Sequence, residues 1–330
     1  MTIDTTEALV ALHTRTDLYI TRSEPEYASR ILLYTKESES LLDRQCNGTI
    51  FEKETGRVLC HSQTKFTTVE ESFEVLPGDT LNYTDDGTTI RLYHYNGTWY
   101  TATTKCMNAK YSKFSSKFSF DKLFWDVFPQ DALGELDKMY TYIFILRHMS
   151  NRIVLKYSKN SLVFIEKVSN LDGQEVFEDE FVTSLSSVFN ETPFNGLMDE
   201  FKRGVIIKRD GHTYMYDFTE YTEVASVRGN DKDIIYRYIT LLVKDSVDAM
   251  ALVRNYPEFS KDFARVNIVL FGVIQDVFKK FKSGKTLHRK HMYSKMLKRL
   301  DSSDTFSSAV KKFYESSPGY LFALMKNVKH

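Results

Sequence analysis

Residues 83–92 read YTDDGTTIRL, and an aromatic stretch with a turn pair at Asn96-Gly97 follows them. Apolar and polar residues alternate in 90–95 and again in 99–103, which is typical of β-strands. Asn-Gly favours a tight hairpin turn because both residues tolerate positive φ. The stretch therefore predicts a β-hairpin that follows a short acidic turn.

The same alternation extends on both sides of this hairpin, over residues 27–165 and again in 204–216. Further hairpins are expected where paired alternating segments flank a polar turn. The turns are Thr55-Gly56, between 49–52 and 57–60; Ser150-Asn151, between 140–146 and 152–157; and Asp210-Gly211, between 204–208 and 213–216. A short helix is expected near 181–189.

After residue 230 the spacing of apolar residues changes to three and four, which indicates amphipathic helices. Helices are predicted over 234–250, 259–281, 290–300 and 307–314, with Pro257, Gly284 and Pro318 between or after them. A chain of 330 residues is long enough for two domains. We therefore predict an α+β protein, with an antiparallel-sheet domain over 1–230 and an all-helical domain over 231–330.

The net charge is zero, but the charges are distributed unevenly. Residues 251–330 contain 16 Lys and Arg against six Asp and Glu. A basic helical domain can bind RNA or an acidic partner, although a solvated helix face is the more common explanation. The residues predicted to contact nucleic acid are Lys279, Lys280, Lys282, Lys285, Arg289 and Lys290.

The three cysteines, Cys46, Cys60 and Cys106, are too few for a disulfide framework and have no metal-ligand spacing. They are expected to be free thiols in a reducing compartment. No apolar run is long enough to cross a bilayer, and no secretory signal is visible. The expectation is an intracellular, cytoplasmic protein without a metal site or a membrane partner.

Six further elements occur in a fixed order around the hairpin. They are QCNGTIF at 45–51, KFTT at 65–68, TKC at 104–106, FIL at 144–146 followed by NRIV at 151–154, RGVII at 203–207 and YMY at 214–216. The ordered set resembles the nucleotide-binding core of covalent nucleotidyltransferases, the superfamily of RNA ligases, DNA ligases and capping enzymes. It is most similar to the phage and viral RNA ligases. The resemblance extends over about residues 30–230 and implies a nucleotidyltransferase sheet domain.

The resemblance also implies where a catalytic pocket would lie, and there the chain departs from the family. The family's Lys-x-Asp-Gly-Ser/Thr signature has Thr84 at the position of the lysine that attacks the nucleotide. A neutral hydroxyl cannot replace that amine without a dedicated base. The other altered positions are Asn47, Ile145, Arg203, Tyr214 and Tyr216. The residual pocket residues are Lys65, Asp86, Gly87, Thr88 and Lys105.

These losses predict a catalytically inactive, RNA-ligase-like pseudoenzyme that has no cofactor. It would act as a binding, structural or assembly component, and the family resemblance suggests a virus or a phage as its source. The expected partners are proteins of a larger assembly, with RNA as a further partner of the basic domain. Incorporation into a virus particle stays open.

Two enzyme alternatives also stay open. One uses a displaced lysine, Lys53 or Lys65, and the other seals pre-adenylated ends and so needs no lysine of its own. The aromatic residues Tyr93, Tyr95, Trp99, Tyr214 and Tyr216 either stack on bases or pack in the sheets, and packing is the more common role. Because neighbouring strand residues face opposite sides, Asp86 is expected in the pocket and Asp85 outside it.

Overall fold

The computed structural model describes residues 18–21, 29–35, 48–62, 66–171, 173, 202–209, 212–244, 246–284 and 293–327. The chain divides into two compact units between Tyr221 and Thr222. Within the described ranges, the strands precede most of the helices, and residues 222–327 contain helices and no strand. The α+β class and the helical character of the C-terminal region are therefore confirmed.

The first sheet of the N-terminal unit is antiparallel and has the strand order β1-β2-β3-β4. Its strands are β1 (Leu18–Thr21), β2 (Arg30–Thr35), β3 (Ile50–Glu52) and β4 (Val58–Cys60). The predicted turn at Thr55-Gly56 joins β3 to β4, with Gly56 at a φ of 71°. This sheet contributes Leu32, Ile50 and Leu59 to a small core.

The second sheet contains the aromatic hairpin and has the order β10-β9-β7-β8. Its strands are β7 (Thr88–Tyr95), β8 (Thr98–Ala102), β9 (Tyr140–Arg147) and β10 (Ser161–Ser169). Asn96 and Gly97 have φ angles of 46° and 78°, as a tight hairpin turn between β7 and β8 requires. Helix α1 (Phe120–Trp125) packs on this sheet, and the ring centroid of Phe124 lies 5.6 Å from that of Phe144.

The third sheet has the order β5-β12-β11-β6. Its strands are β5 (Thr67–Thr68), β6 (Thr80–Thr84), β11 (Gly204–Arg209) and β12 (His212–Asp217), and all pairs are antiparallel except β5 with β12. Residues 85–87 connect β6 of this sheet to β7 of the second sheet. A Cβ on Gly87 would lie 2.5 Å from the Cγ2 atom of Ile145, so a side chain at position 87 would clash.

Three of the local predictions need comment. The predicted hairpin at Ser150-Asn151 is wrong: β9 pairs with β10, and residues 152–157 form no strand. The Asp210-Gly211 turn lies outside the described residues, but Arg209 pairs with His212, so the flanking strands are antiparallel. The helix expected near 181–189 also lies outside them.

The C-terminal region is built from helices around one apolar core. They are α2 (Thr219–Arg228), α3 (Ile234–Lys244), α4 (Ser246–Asn255), α5 (Ser260–Lys282), α6 (Ser294–Leu297), α7 (Phe306–Tyr314) and α8 (Pro318–Asn327). Phe263 and Leu270 of α5 are fully buried in that core. Of the helices described, none combines the length and the apolar character needed to cross a bilayer.

The helix predictions hold for the long amphipathic segments and fail at the boundaries. The helices predicted over 259–281 and 307–314 are confirmed within one residue. The segment 234–250 forms two helices, α3 and α4, and 290–300 is described only from residue 293. Pro318, expected to follow the last helix, starts α8 instead, because proline fits the first turn of a helix.

Candidate functional site

The predicted pocket lies where β6 leaves the third sheet to reach β7. Thr84 is the last residue of β6 and pairs with Gly204 of β11. The side chains of Thr84 and Asp86 are almost completely buried. Because both residues are buried, the groups around them decide whether a ligand can reach this place.

Asp86 is held by groups of the protein itself. Its Oδ2 atom accepts hydrogen bonds from the backbone N–H groups of Val154 and Leu155, each at 2.8 Å. Its Oδ1 atom accepts from the Tyr221 hydroxyl at 2.9 Å, and its backbone carbonyl accepts from the Tyr157 hydroxyl at 2.6 Å. The Oδ2 atom thus fixes the segment after Asn151, and the Oδ1 atom binds Tyr221.

The two tyrosine hydroxyls act as neutral donors to this aspartate. Burial, and then the negative charge of Asp86, raise the pKa of Tyr157 well above its usual range. The same two causes, in the same order, raise the pKa of Tyr221. Both hydroxyls therefore keep their protons near neutral pH and remain hydrogen-bond donors.

Asp85 does not point away from this place, so the expectation that it lies outside is wrong. Its side chain is only 15% exposed and forms an ion pair with Arg147, with Lys202 4.0 Å away. The Arg147 guanidinium also lies over the ring of Tyr157, 5.0 Å from its centroid. The alternation rule fails because residues 85–86 are not part of a strand.

Arg203, one of the positions predicted to be altered, is paired with Asp217. Its Nε atom donates to one carboxylate oxygen at 2.8 Å and its Nη2 atom to the other at 3.3 Å. Burial works to lower the pKa of Arg203, but the hydrogen bonds to Asp217 together with the negative charges of Asp217 and Asp86 and the interaction with Tyr221 outweigh it, so the pKa is raised. The guanidinium also lies 5.3 Å from the ring centroid of Tyr221.

These contacts form one continuous cluster, which we call the Asp86 network. Three carboxylates and three cations compensate one another within it, and two tyrosines join them. Its members are Asp85, Asp86, Arg147, Tyr157, Lys202, Arg203, Asp217 and Tyr221. The cluster has no excess of positive charge with which to attract a polyphosphate.

Tyr214 and Tyr216, two further positions predicted to be altered, pack against other aromatic rings. The ring centroid of Tyr214 lies 4.8 Å from that of Phe73, and the ring centroid of Tyr216 lies 5.9 Å from that of Phe218. Arg209, over the ring of Phe73 at 4.9 Å, is itself bound to Asp79 at 2.8 and 2.7 Å. Neither position supplies an ammonium group.

Of the remaining predicted pocket residues, those that the structure describes are not brought together as a charged site. Ile145 is buried against Gly87, and the Oγ1 atom of Thr88 accepts a hydrogen bond from the Asn151 side chain at 3.3 Å. Lys105 is exposed at a surface turn. Asn47 and Lys65 lie outside the described residues.

The aromatic strand residues belong to the core, as the packing interpretation predicts. Tyr93 is fully buried, and its hydroxyl accepts a hydrogen bond from Arg30 at 2.7 Å. Arg30 also lies over the ring of Tyr100, at 4.2 Å from the centroid. The ring of Trp99 packs 6.2 Å from that of Tyr142.

Sequence reasoning missed a buried arginine in the same hairpin. Arg91 of β7 is 1% exposed and donates to the backbone carbonyls of Gly48, His61 and Thr103, the last two at 3.2 and 2.6 Å. It joins the first sheet to the second. An arginine among the apolar residues of a buried strand was the available signal.

The C-terminal lysines that were predicted to contact nucleic acid are only partly described. Lys279, Lys280 and Lys282 lie in the last turn of α5. The ammonium of Lys282 donates to the carbonyl of Ser302 at 3.3 Å, and that of Lys280 lies 5.1 Å from the Tyr293 ring centroid. Lys285, Arg289 and Lys290 lie outside the described residues.

No group of three or more histidine, cysteine, aspartate or glutamate side chains within the described ranges is arranged to hold a metal ion. The described thiols belong to Cys60, which is buried, and Cys106, which is partly exposed. Burial raises the pKa of the Cys60 thiol. A protonated, buried thiol is a poor nucleophile.

Comparison with known proteins identifies one curated relative, and no protein-family model matches the chain. The relative is the "Immediate-early protein ICP-46 homolog" of Invertebrate iridescent virus 3, which is 25% identical over 201 residues. The match covers 56% of this chain and 44% of the relative. The chain thus spans less than half the length of a viral protein that it resembles.

The similar solved structures include three of ATP-dependent ligases. A putative ATP-dependent DNA ligase from Aquifex aeolicus has a TM-score of 0.45 at 11% identity, over 84% of this chain and 81% of the ligase. Two forms of an archaeal ATP-dependent RNA ligase have TM-scores of 0.45 and 0.46 at 10% identity, over 86% of this chain and 80% of theirs.

Proposed function

We propose that this chain is a catalytically inactive, RNA-ligase-like protein that acts by binding other molecules within a larger assembly. The observation that carries the proposal is the Asp86 network, in which carboxylates of the chain neutralise the nearby cations. The preserved aspartate serves the fold by holding Val154 and Leu155. The resemblance of the sequence to the RNA ligases supplies the expected place of the pocket.

Electrostatics supports the absence of nucleotidyl transfer. A nucleoside triphosphate carries several negative charges and needs cations, a metal or many amide donors to bind. Tyr214 and Tyr216 take the places of two lysines, and Arg203 is committed to Asp217. Since a hydrogen bond to a charged group contributes about 1.5–3 kcal/mol, losing two or three such contacts weakens binding by several orders of magnitude.

A role in a virus-encoded assembly is the finer part of the proposal. It is supported by the similarity to the immediate-early protein homologue of an iridescent virus. More than half of that relative lies outside the match. The proposal therefore concerns only partners that bind the part of the relative that matches this chain. Protein partners fit a scaffold whose core is kept while its site is lost.

A covalent labelling experiment tests the proposal. The full chain is incubated with ATP or GTP labelled at the α-phosphate, together with magnesium or manganese. Label that stays on the denatured protein at neutral or alkaline pH is measured, because the phosphorus–nitrogen bond of a lysine adduct is hydrolysed in acid. We expect no adduct, because Thr84 lacks an amine and the network lacks free cations. A labelled adduct that disappears in Lys53→Ala or Lys65→Ala would show that a displaced lysine is the nucleophile and would overturn the proposal.

A second assay addresses sealing without self-adenylylation. A pre-adenylated strand and an acceptor strand with a free 3′ hydroxyl are offered to the full chain with magnesium. The account predicts no joined product above the level without protein. Joining that is lost in Asp86→Asn, with folding preserved by circular dichroism, would identify a ligase that needs no nucleophile of its own.

A further inference from the structure

A basic surface occurs in the N-terminal unit, apart from the lysines predicted to bind nucleic acid. Residues 104–119 contain four lysines and no acidic residue, and 147–160 contain two arginines and two lysines and likewise no acidic residue. Besides Lys105, which belongs to the ligase-like element at 104–106, their exposed lysines are Lys110, Lys113, Lys117, Lys156 and Lys159. We call these five residues, with Tyr111 and Phe118, the lysine surface; all seven lie outside the ligase-like sequence elements.

The two segments are joined by hydrogen bonds. The backbone N–H and the hydroxyl of Ser115 both donate to the Asn151 side-chain oxygen, each at 3.3 Å. The same hydroxyl lies 3.3 Å from the Arg152 carbonyl. The segments therefore form one surface rather than two separate loops.

Both segments are also fixed to the fold. The Asn108 side chain accepts a hydrogen bond from the Lys110 backbone N–H at 2.9 Å, and the Phe120 N–H donates to the Ser112 carbonyl at 2.9 Å. In the other segment, Asp86 holds the residues just before Lys156. A fixed surface loses less conformational entropy when it binds a ligand.

The lysine charges of this surface are not compensated by neighbouring acids. In the part of the chain that the structure describes, none of the five lysines forms an ion pair with a carboxylate. Two carboxylates lie nearby, Asp121 in helix α1 and Asp126 just after it. Asp121 accepts hydrogen bonds from Thr101 and Trp125, and Asp126 forms an ion pair with Lys122. The surface therefore carries an excess of positive charge.

Exposed aromatic and sulphur-containing side chains lie between these lysines. Tyr111 is 49% exposed, Phe118 is 40% exposed and Met149 is 57% exposed. The Lys117 ammonium lies 5.0 Å from the ring centroid of Phe118. Lysines that attract phosphates and rings that accept stacked bases are the combination that binds single strands.

We propose that the lysine surface binds single-stranded nucleic acid along its length, without regard to sequence or to strand ends. Lysines contact the phosphates, and Tyr111 and Phe118 stack on exposed bases. A duplex hides its base faces, and an acidic peptide has phosphate-like charge without bases, so both are weaker ligands. The inference goes beyond the proposed function, since it holds whether or not the chain is catalytically inactive.

The test measures binding of a fluorescent oligouridylate of about 15 nucleotides, a length suited to such sites, by fluorescence anisotropy across a range of salt concentrations. The full chain is compared with Lys110→Gln/Lys113→Gln/Lys117→Gln. The matched control is Lys279→Gln/Lys280→Gln/Lys282→Gln, which removes the same charge from α5. We expect the first variant to lower the salt slope by about 2, at about 0.7 per lost phosphate contact, and the control to keep the slope of the unmodified chain.

A second variant, Tyr111→Leu/Phe118→Leu, tests stacking separately from charge. It retains apolar side chains and all lysines but has no aromatic rings. We expect at least a fivefold loss of affinity with the salt slope unchanged, because one stacked base contributes a factor of about five or more. Circular dichroism and melting temperatures of all variants verify that they fold.

Several results would overturn the inference. These are an absence of salt-dependent binding, an equal loss in the α5 control, or full affinity in the leucine variant. A preference for a 5′-phosphate or a nick over a circular strand would mean that ends are recognised. Equal displacement of the oligonucleotide by duplex DNA, or by a polyglutamate peptide, would assign the surface to a different ligand.

Discussion

At the scale of single residues, the candidate site is distinguished by the hydrogen bonding of Asp86 and Arg203. Asp86 accepts hydrogen bonds from two backbone amides and one tyrosine, and Arg203 is bound by both oxygens of Asp217. Such an arrangement stabilises a fold, because buried polar groups are costly without partners. It also leaves no charged group in the network free of a partner in the described structure.

Tyr221→Phe tests the structural role of Asp86. The change removes one hydroxyl and leaves the buried Oδ1 atom of Asp86 without that donor. We expect the free energy of unfolding to fall by about 1–3 kcal/mol in urea denaturation. Tyr83→Phe, at a side chain that is 65% exposed, is the control and should change the free energy of unfolding little. Equal effects of the two variants would contradict the role assigned to Tyr221.

At the scale of elements, the sequence predicts what depends on near neighbours. The Asn96-Gly97 hairpin and helix α5 follow from turn chemistry and apolar spacing, and both are found. Residues 152–157 look like a strand, but they have no strand partner, because the Asp86 carboxylate binds their amides. These two hydrogen bonds join Asp86 to residues that follow it by 68 and 69 positions in the sequence, and no local pattern reveals such a contact.

A second element-scale interaction joins the turn before α7 to that helix. The Lys312 ammonium donates to Asp301 at 2.8 Å and to Asp304 at 2.7 Å. The hydrogen bond from Lys312 is the largest of the causes that lower the pKa of Asp304 to about 2. Since the unfolded value is about 3.9, this stabilisation is present above that pH and is lost as the pH falls towards 2.

Lys312→Met should therefore reduce the pH dependence of stability in this acidic range. The melting temperature of the variant, measured between about pH 5 and pH 2.5, should fall less steeply than that of the unmodified chain. Lys311→Met removes the same charge from an exposed neighbouring position and should leave the steepness unchanged. Identical profiles for all three proteins would disprove the contribution of this cluster.

At the scale of the whole molecule, the chain has two units with different chemical character. The N-terminal unit contains three sheets and the Asp86 network, and the C-terminal unit is helical and basic. The network draws residues from 85–86, 147–157, 202–203 and 217–221. The altered motif positions stay a prediction from the sequence, and the pairing of Asp85 with Arg147 and of Arg203 with Asp217 required the fold. Arg147, Tyr157 and Tyr221 therefore escaped prediction.

The stability of the molecule at alkaline pH follows from two members of the network. Tyr157 and Tyr221 have raised pKa values when folded, whereas in the unfolded chain they ionise near pH 10. Their contribution is present below pH 10 and is lost as the pH rises beyond it, because the unfolded state releases its protons first. Tyr157→Phe/Tyr221→Phe should thus flatten the fall in melting temperature between about pH 9 and 11. An unchanged profile would contradict this assignment.

The central claim is that the former pocket neutralises its own charges and no longer holds a nucleotide. Isothermal titration of the full chain with magnesium and ATP measures this directly, with Thr84→Lys in parallel to restore the missing amine. The account predicts no saturable heat of binding for either protein, because Arg203 stays bound to Asp217 and tyrosines occupy positions 214 and 216. Saturable binding that Asp86→Asn abolishes in a folded protein would contradict it.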